Sequence, residues 1–162
     1  MNEGLNVTFH ISHVGACTGR DHFSGWGLDW INVGLTYLPY LHRFYAPADT
    51  RAAFLAVCDL AAAYGGHIIG IPRDNLPVLE APDGSGPLFR ADAEWHMITL
   101  YRQHEGAQHA ILALGAPAFL AGEAAAALAA ASTPVDVHIV NALPLAAGEL
   151  EALVAEIGRA HV

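Results

Sequence analysis

The sequence of 162 residues predicts an α/β fold built from parallel βαβ units. Two observations carry this expectation. Short runs of β-branched and aromatic residues alternate with longer alanine-rich segments, the pattern of strands joined by crossover helices. Each apolar run then gives way to a loop rich in Gly, Pro or Asn, as at Gly15, Pro72, Gly115 and Asn141. Parallel units of this kind cross over right-handed and collect their ligands in the loops at the carboxyl ends of the strands.

The elements follow in order. Leu5–Ser12 reads as a strand and leads into a glycine-rich loop, Val14–Gly27. A helix is expected from Leu28 to Leu38, stopped by Pro39. His42–Ala46 is a short strand. Pro47-Ala48-Asp49-Thr50 opens the next helix, with Asp49 or Thr50 as its cap, and Gly65-Gly66 ends it after Tyr64. His67–Ile71 has the apolar character of a buried strand. The polar stretch Pro72–Glu94 reads as a connection between two lobes. The second lobe repeats the alternation: strand His109–Leu114, helix Pro117–Ala131, strand Val135–Asn141, helix Ala147–Ile157. The division expected is a first domain over 1–80, a linker over 81–106 and a second domain over 107–162. Met1 stands almost at a strand and Val162 where another should begin, so both ends are expected to be cut. Two strands alone would make a poor sheet in the second lobe.

Composition narrows the function. Apolar residues make up 54% of the chain and charged residues 14%, which excludes wholesale disorder and suggests apolar surface covered by another subunit. There is no lysine, hence no Schiff-base chemistry and no P-loop lysine. The net charge is −9, without a basic cluster, which argues against nucleic-acid and anionic-membrane partners. The alanine tract around Ala124–Ala131 is too short for a membrane span, and the N-terminus does not read as a signal peptide. A cytoplasmic location is expected. Cys17 and Cys58 fit no zinc or redox spacing. Ten histidines raise the question of a metal, but none are paired at i, i+4 or placed beside a Cys-x-x-Cys, so no metal site is expected. His10, His42, His67 and His138 fall in or at the edges of strands and read as core or interface residues.

Two loops could carry chemistry. His13-Val14-Gly15-Ala16-Cys17-Thr18-Gly19-Arg20-Asp21-His22 follows a strand's carboxyl end. Imidazole and guanidinium groups can hold a phosphate, and a carboxylate can accept from a hydroxyl. The alternative is an ordinary glycine-rich loop with solvated charges. It is neither a dinucleotide fingerprint nor a P-loop, because Gly15 and Gly19 lie four apart and no lysine follows. Arg73, at the end of the strand closing on Ile71-Pro72, either meets an anionic ligand or pairs with Asp74 or Asp92.

Taken in order, these segments resemble the thiamine-diphosphate-dependent transketolase superfamily. The resemblance rests on His13 through Gly19 to Asp21, on Pro47-Ala48-Asp49 opening an alanine-rich helix, on Arg73-Asp74-Asn75-Leu76 after a strand, and on Val135–Asn141 leading to Pro144-Leu145. It implies an incomplete pyrimidine-binding domain followed by a partial C-terminal α/β domain. It further implies His13 and Arg73 as ligands of a sugar phosphate's phosphate and Asp21 as a ligand of its hydroxyl. The family follows that aspartate with Gly-Pro-Thr-His, whereas Gly25 stands here in the histidine's place and His22 is the substitute considered for catalysis. Neither the glutamate that activates the cofactor nor the diphosphate-binding domain is expected in this chain, and no residue is assigned to the cofactor. Thiamine diphosphate and Mg²⁺ would be held mainly by a complementary partner chain. The function implied is that of a subunit or fragment of a split transketolase-like enzyme that transfers a two-carbon unit between sugar phosphates. The alternatives are part of a 2-oxo acid dehydrogenase beta-type subunit and a non-catalytic α/β scaffold.

Overall fold

The computed structural model describes residues 6–12, 34–36, 41–72 and 75–159. Two small sheets organise them. The first contains β1 (Val7–Ser12), β2 (Leu41–Tyr45), β3 (Gly66–Ile71) and β7 (Ala142–Leu143), in the order β1-β3-β2-β7. β1 and β2 both run parallel to β3, in register Val7↔Gly66 and Phe44↔Ile68. The second contains β4 (Ile98–Arg102), β5 (His109–Leu114) and β6 (Val135–Val140), in the order β4-β6-β5, with β5 parallel to β6. The helices are α1 (Thr50–Ala62), α2 (Ala118–Ala130) and α3 (Ala147–Arg159).

The parallel units are those the alternation predicts, and each predicted element among the described residues lies within a few residues of its expected place. Two strands are additions, and both are antiparallel. β7 pairs with β2, and β4 pairs with β6. The second sheet therefore has three strands rather than two. β4 falls inside the stretch read as a linker, 81–106, and from that stretch Phe89 and Tyr101 are buried.

α1 forms because Asp49 caps it. The Asp49 carboxylate accepts from the backbone N–H of Arg51 and of Ala52, at 2.9 and 2.7 Å, satisfying two of the donors that a helix start leaves unpaired. Gly65, at φ +133°, turns the chain out of the helix into β3. The inner face of α1, Ala52 and Leu55, packs with Leu79, Phe89, Tyr101, Val137 and Ile139 in one apolar cluster. The first helix thus shares a core with the second sheet.

Backbone bonds stitch the two sheets together. Ala46 N donates to Asn141 O at 2.8 Å, and Asn141 N donates to Met97 O at 2.7 Å. Gly115 closes the same seam. It sits at φ +64°, and a Cβ there would stand 2.9 Å from the Ala46 carbonyl carbon and nearer still to its oxygen. Both conformation and space therefore require glycine. Gly115→Ala is expected to lower unfolding stability by more than about 2 kcal/mol, read as a fall in the urea midpoint. An unchanged midpoint would show that the seam yields.

A candidate substrate cleft at the strand ends

Because β1, β2 and β3 run parallel, Ser12, Tyr45 and Ile71 all end on the same edge of the first sheet. A cleft of about 420 Å³ opens there, lined by Pro47, Asp49, Thr50, Ala53, Ile71, Pro72, Asn75 and Leu76. This is where a parallel α/β sheet takes its ligand.

Asp49 is the buried polar group of the cleft wall, 4% exposed. Its second oxygen accepts from Leu79 N at 2.9 Å. One carboxylate thus joins the start of α1 to the segment that leaves the far side of the cleft. The same bonds occupy the amides that hold an anion at an uncapped helix start. A phosphate entering the cleft therefore needs a cation from elsewhere.

Arg73 is the cation expected from the sequence at this end of β3. Pro72 and Asn75, which flank positions 73 and 74, both line the cleft. Arg73 itself, like His13, Asp21, His22 and Gly25, lies outside the described residues. The alternative partner Asp92 is engaged by another arginine: Arg90 donates to it through Nε at 3.1 Å and Nη2 at 2.9 Å. Among the described residues no three His, Cys, Asp or Glu side chains gather as a metal site would require. The described residues therefore do not fit the metal of a bound diphosphate.

Outside the cleft lining, β2 and α1 share a polar network that sequence reading missed. Tyr45, fully buried, donates its hydroxyl to Asp59 Oδ2 at 2.6 Å, and Arg43 Nη1 donates to the same oxygen at 2.6 Å. The Arg43 guanidinium lies 4.8 Å from the centre of the Trp95 ring, a cation–π distance. His67, 1% exposed, sits beside Tyr45 and His42. Its Nε2 lies 3.2 Å from the Ala63 carbonyl. A carbonyl can only accept, so Nε2 carries a proton. His67 and His138 are core residues, as their strand positions suggest, whereas His10 and His42 are exposed.

Burial, and then the bond to Asp59, push the Tyr45 phenol above its ordinary value. An acid whose folded pKa is raised stays protonated in the fold while the unfolded chain ionises. Its contribution is complete below the unfolded value of about 10 and declines as pH rises further. Stability is therefore expected to fall above about pH 10. Tyr45→Phe should flatten that fall while losing roughly 1 kcal/mol at neutral pH. An unaltered alkaline slope in the variant would remove Tyr45 as its source.

These features define an α/β protein with a cleft at its parallel strand ends. No protein-family model and no curated protein matches the sequence, but solved structures do match the fold. A split-gene transketolase, described as an inactive beta4 tetramer, superposes with a TM-score of 0.66 at 22% identity, covering 96% of this chain and 45% of that one. Transketolase from Campylobacter jejuni gives 0.66 at 19% identity, covering 84% and 20%. The Pichia stipitis enzyme complexed with sedoheptulose-7-phosphate gives 0.64 at 20% identity, covering 85% and 19%. The chain has a transketolase-like fold and spans less than half the length of each of these structures. No described helix is long and apolar enough to cross a membrane.

Proposed function

We propose that this chain is the substrate-side component of a split, thiamine-diphosphate-dependent transketolase-like enzyme. Its reaction is the transfer of a two-carbon ketol unit between sugar phosphates, in the cytoplasm. Residues 1–80 belong to a pyrimidine-binding domain and residues 107–162 to a C-terminal domain, with 81–106 between them. A complementary chain supplies the diphosphate-binding domain and holds most of the cofactor and its Mg²⁺. The cofactor, when bound, provides the carbanion chemistry. This chain's residues bind and orient: His13 and Arg73 take the phosphate, Asp21 a sugar hydroxyl, and His22 serves at the reacting carbonyl. The observation that carries the reading is the cleft itself. It lies at the strand ends of a transketolase-like fold, and its walls include the residues on either side of positions 73 and 74. The two-chain form draws on the split-gene neighbour.

Isothermal titration of thiamine diphosphate with Mg²⁺ tests it, first into the chain alone and then into its mixture with the protein encoded beside it. The expected result is binding and turnover only in the mixture, with glyceraldehyde 3-phosphate as acceptor. Turnover of a 2-oxo acid instead would move the chain to the dehydrogenase class. Binding in neither case would leave a scaffold. Tight binding by the chain alone would mean the cofactor's site lies in this chain.

A further inference from the structure

The central strand of the second sheet has two different faces. Val137 and Ile139 are fully buried in the apolar cluster shared with α1. Successive side chains of a strand point to opposite faces, so His138 points the other way. The antiparallel register Leu100↔His138 and Ile98↔Val140 puts Ile98 and Leu100 on that same face. A cavity of about 380 Å³ lies there between β4 and α3, with His96, Ile98, Leu100, His138, Glu149 and Leu153 in its lining. It shares no lining residue with the cleft at the ends of β1, β2 and β3.

Two polar groups in the lining have capacity to spare. His138 is 3% exposed, and its ring makes no hydrogen bond among the described residues. Its nitrogens are nevertheless not sealed in: the sealed and unpaired side-chain atoms among the described residues are His67 Nδ1 and Asn141 Oδ1. The cavity is thus the side from which the His138 ring is reached. A buried imidazole ordinarily has partners, since it always carries a donor and, when neutral, an acceptor. Glu149, in the first turn of α3, accepts from Ala146 N at 3.0 Å through Oε2 alone, which leaves Oε1 to another donor. The carboxylate belongs to the helix wall and the imidazole to the sheet wall, with the apolar side chains of Ile98, Leu100 and Leu153 beside them.

We propose that this cavity binds a small organic amine: an ammonium group, a short apolar skeleton and a hydroxyl or second N–H at its far end. Glu149 is the one acidic or basic side chain apart from the two histidines in the lining, and it selects a cation over an anion. The far donor supplies the hydrogen bond that the His138 ring lacks. The apolar side chains take the skeleton. The volume is at the lower end of small-molecule sites, and four residues of strand from His96 to Leu100 span roughly 13 Å, which suits an elongated ligand of this kind. Binding here is independent of the catalytic reading and stands or falls separately.

Tyramine is the probe, titrated to about 20 mM into the full chain. Carbon–proton spectra of the histidine rings, assigned through bonds in the labelled chain, report on His138. A saturable shift of the His138 ring is expected, half complete near about 1 mM. Glu149→Gln keeps an oxygen for Ala146 N and removes the charge, so it should weaken binding roughly tenfold. Phenethylamine, which lacks the hydroxyl, should bind roughly fivefold more weakly than tyramine. 4-Hydroxyphenylacetate, of similar shape and opposite charge, should leave the ring unmoved. A His138 ring that tyramine does not shift overturns the proposal. So does an affinity that Glu149→Gln leaves unchanged, or an anion bound as tightly as the amine.

Discussion

On the proposed function, Arg73→Ala is expected to raise the KM of the reconstituted two-chain enzyme for a sugar phosphate by roughly 30- to 150-fold, the equivalent of about 2–3 kcal/mol for a lost charge-assisted clamp on a phosphate. The effect should fall on KM, because a phosphate remote from the reacting carbons is gripped alike in the ground and transition states. The magnitude reflects the cleft's construction. Asp49 fills the start of α1, so the helix amides there offer an incoming anion little, and the arginine has no substitute among the described residues of the wall. Arg73→Lys keeps the charge and loses the two-pronged geometry, so it should recover part of the loss. Steady-state kinetics with and without the phosphate on the substrate separate the outcomes. Equal KM values for Arg73→Ala and the parent would remove Arg73 from the site. A penalty on the phosphorylated substrate alone would establish the assignment.

The second large effect concerns stability. Asp49→Ala removes an acceptor from three backbone amides at once, those of Arg51, Ala52 and Leu79. The missing cap costs about 1 kcal/mol. The buried Leu79 amide, left without a partner, adds roughly 1–3 kcal/mol. A total near 3 kcal/mol is a large share of a small domain's stability. Urea unfolding followed by far-ultraviolet circular dichroism should register it as a marked drop in midpoint. Asp49→Asn keeps one acceptor oxygen and should fall between the two. A midpoint within a few tenths of a molar of the parent's would mean that solvent replaces the carboxylate in both roles.

Local signals were legible and distant ones were not. α1 could be read to within two residues at each end because its start and stop are both local: Asp49 caps it and Gly65 breaks it. β3 was legible as an apolar run. β4 was not, because Ile98–Arg102 is five residues long with polar segments on both sides, and its pairing with β6 joins residues some forty positions apart. β7, of two residues, gives no periodicity at all. The position of the cleft followed from strand alternation alone. Asp49 was visible as a cap, but its bond to Leu79 N, thirty residues on, was not. Separations of 16 and 14 residues likewise hid Asp59, which an isolated reading treats as one more helix charge, although it is the acceptor for Arg43 and Tyr45. The substrate-ligand assignments at His13, Asp21 and Arg73 depend on order and resemblance and remain proposals.

The seam at Ala46, Gly115 and Asn141 makes the second sheet a splint for the first. The loop leaving β2 reaches the cleft only after its amide at Ala46 has been tied to the loop leaving β6, and the glycine at 115 lets the two halves close on each other. The cleft's described wall comes from residues 47–76, and the second sheet braces it through the bond at Ala46. Ala46 and Asn141 contribute backbone groups to the seam, and Gly115 is the position where a side chain would meet it directly. A graft that exchanged the second sheet for a foreign one would carry the cleft's dimensions with it only if the whole seam moved together.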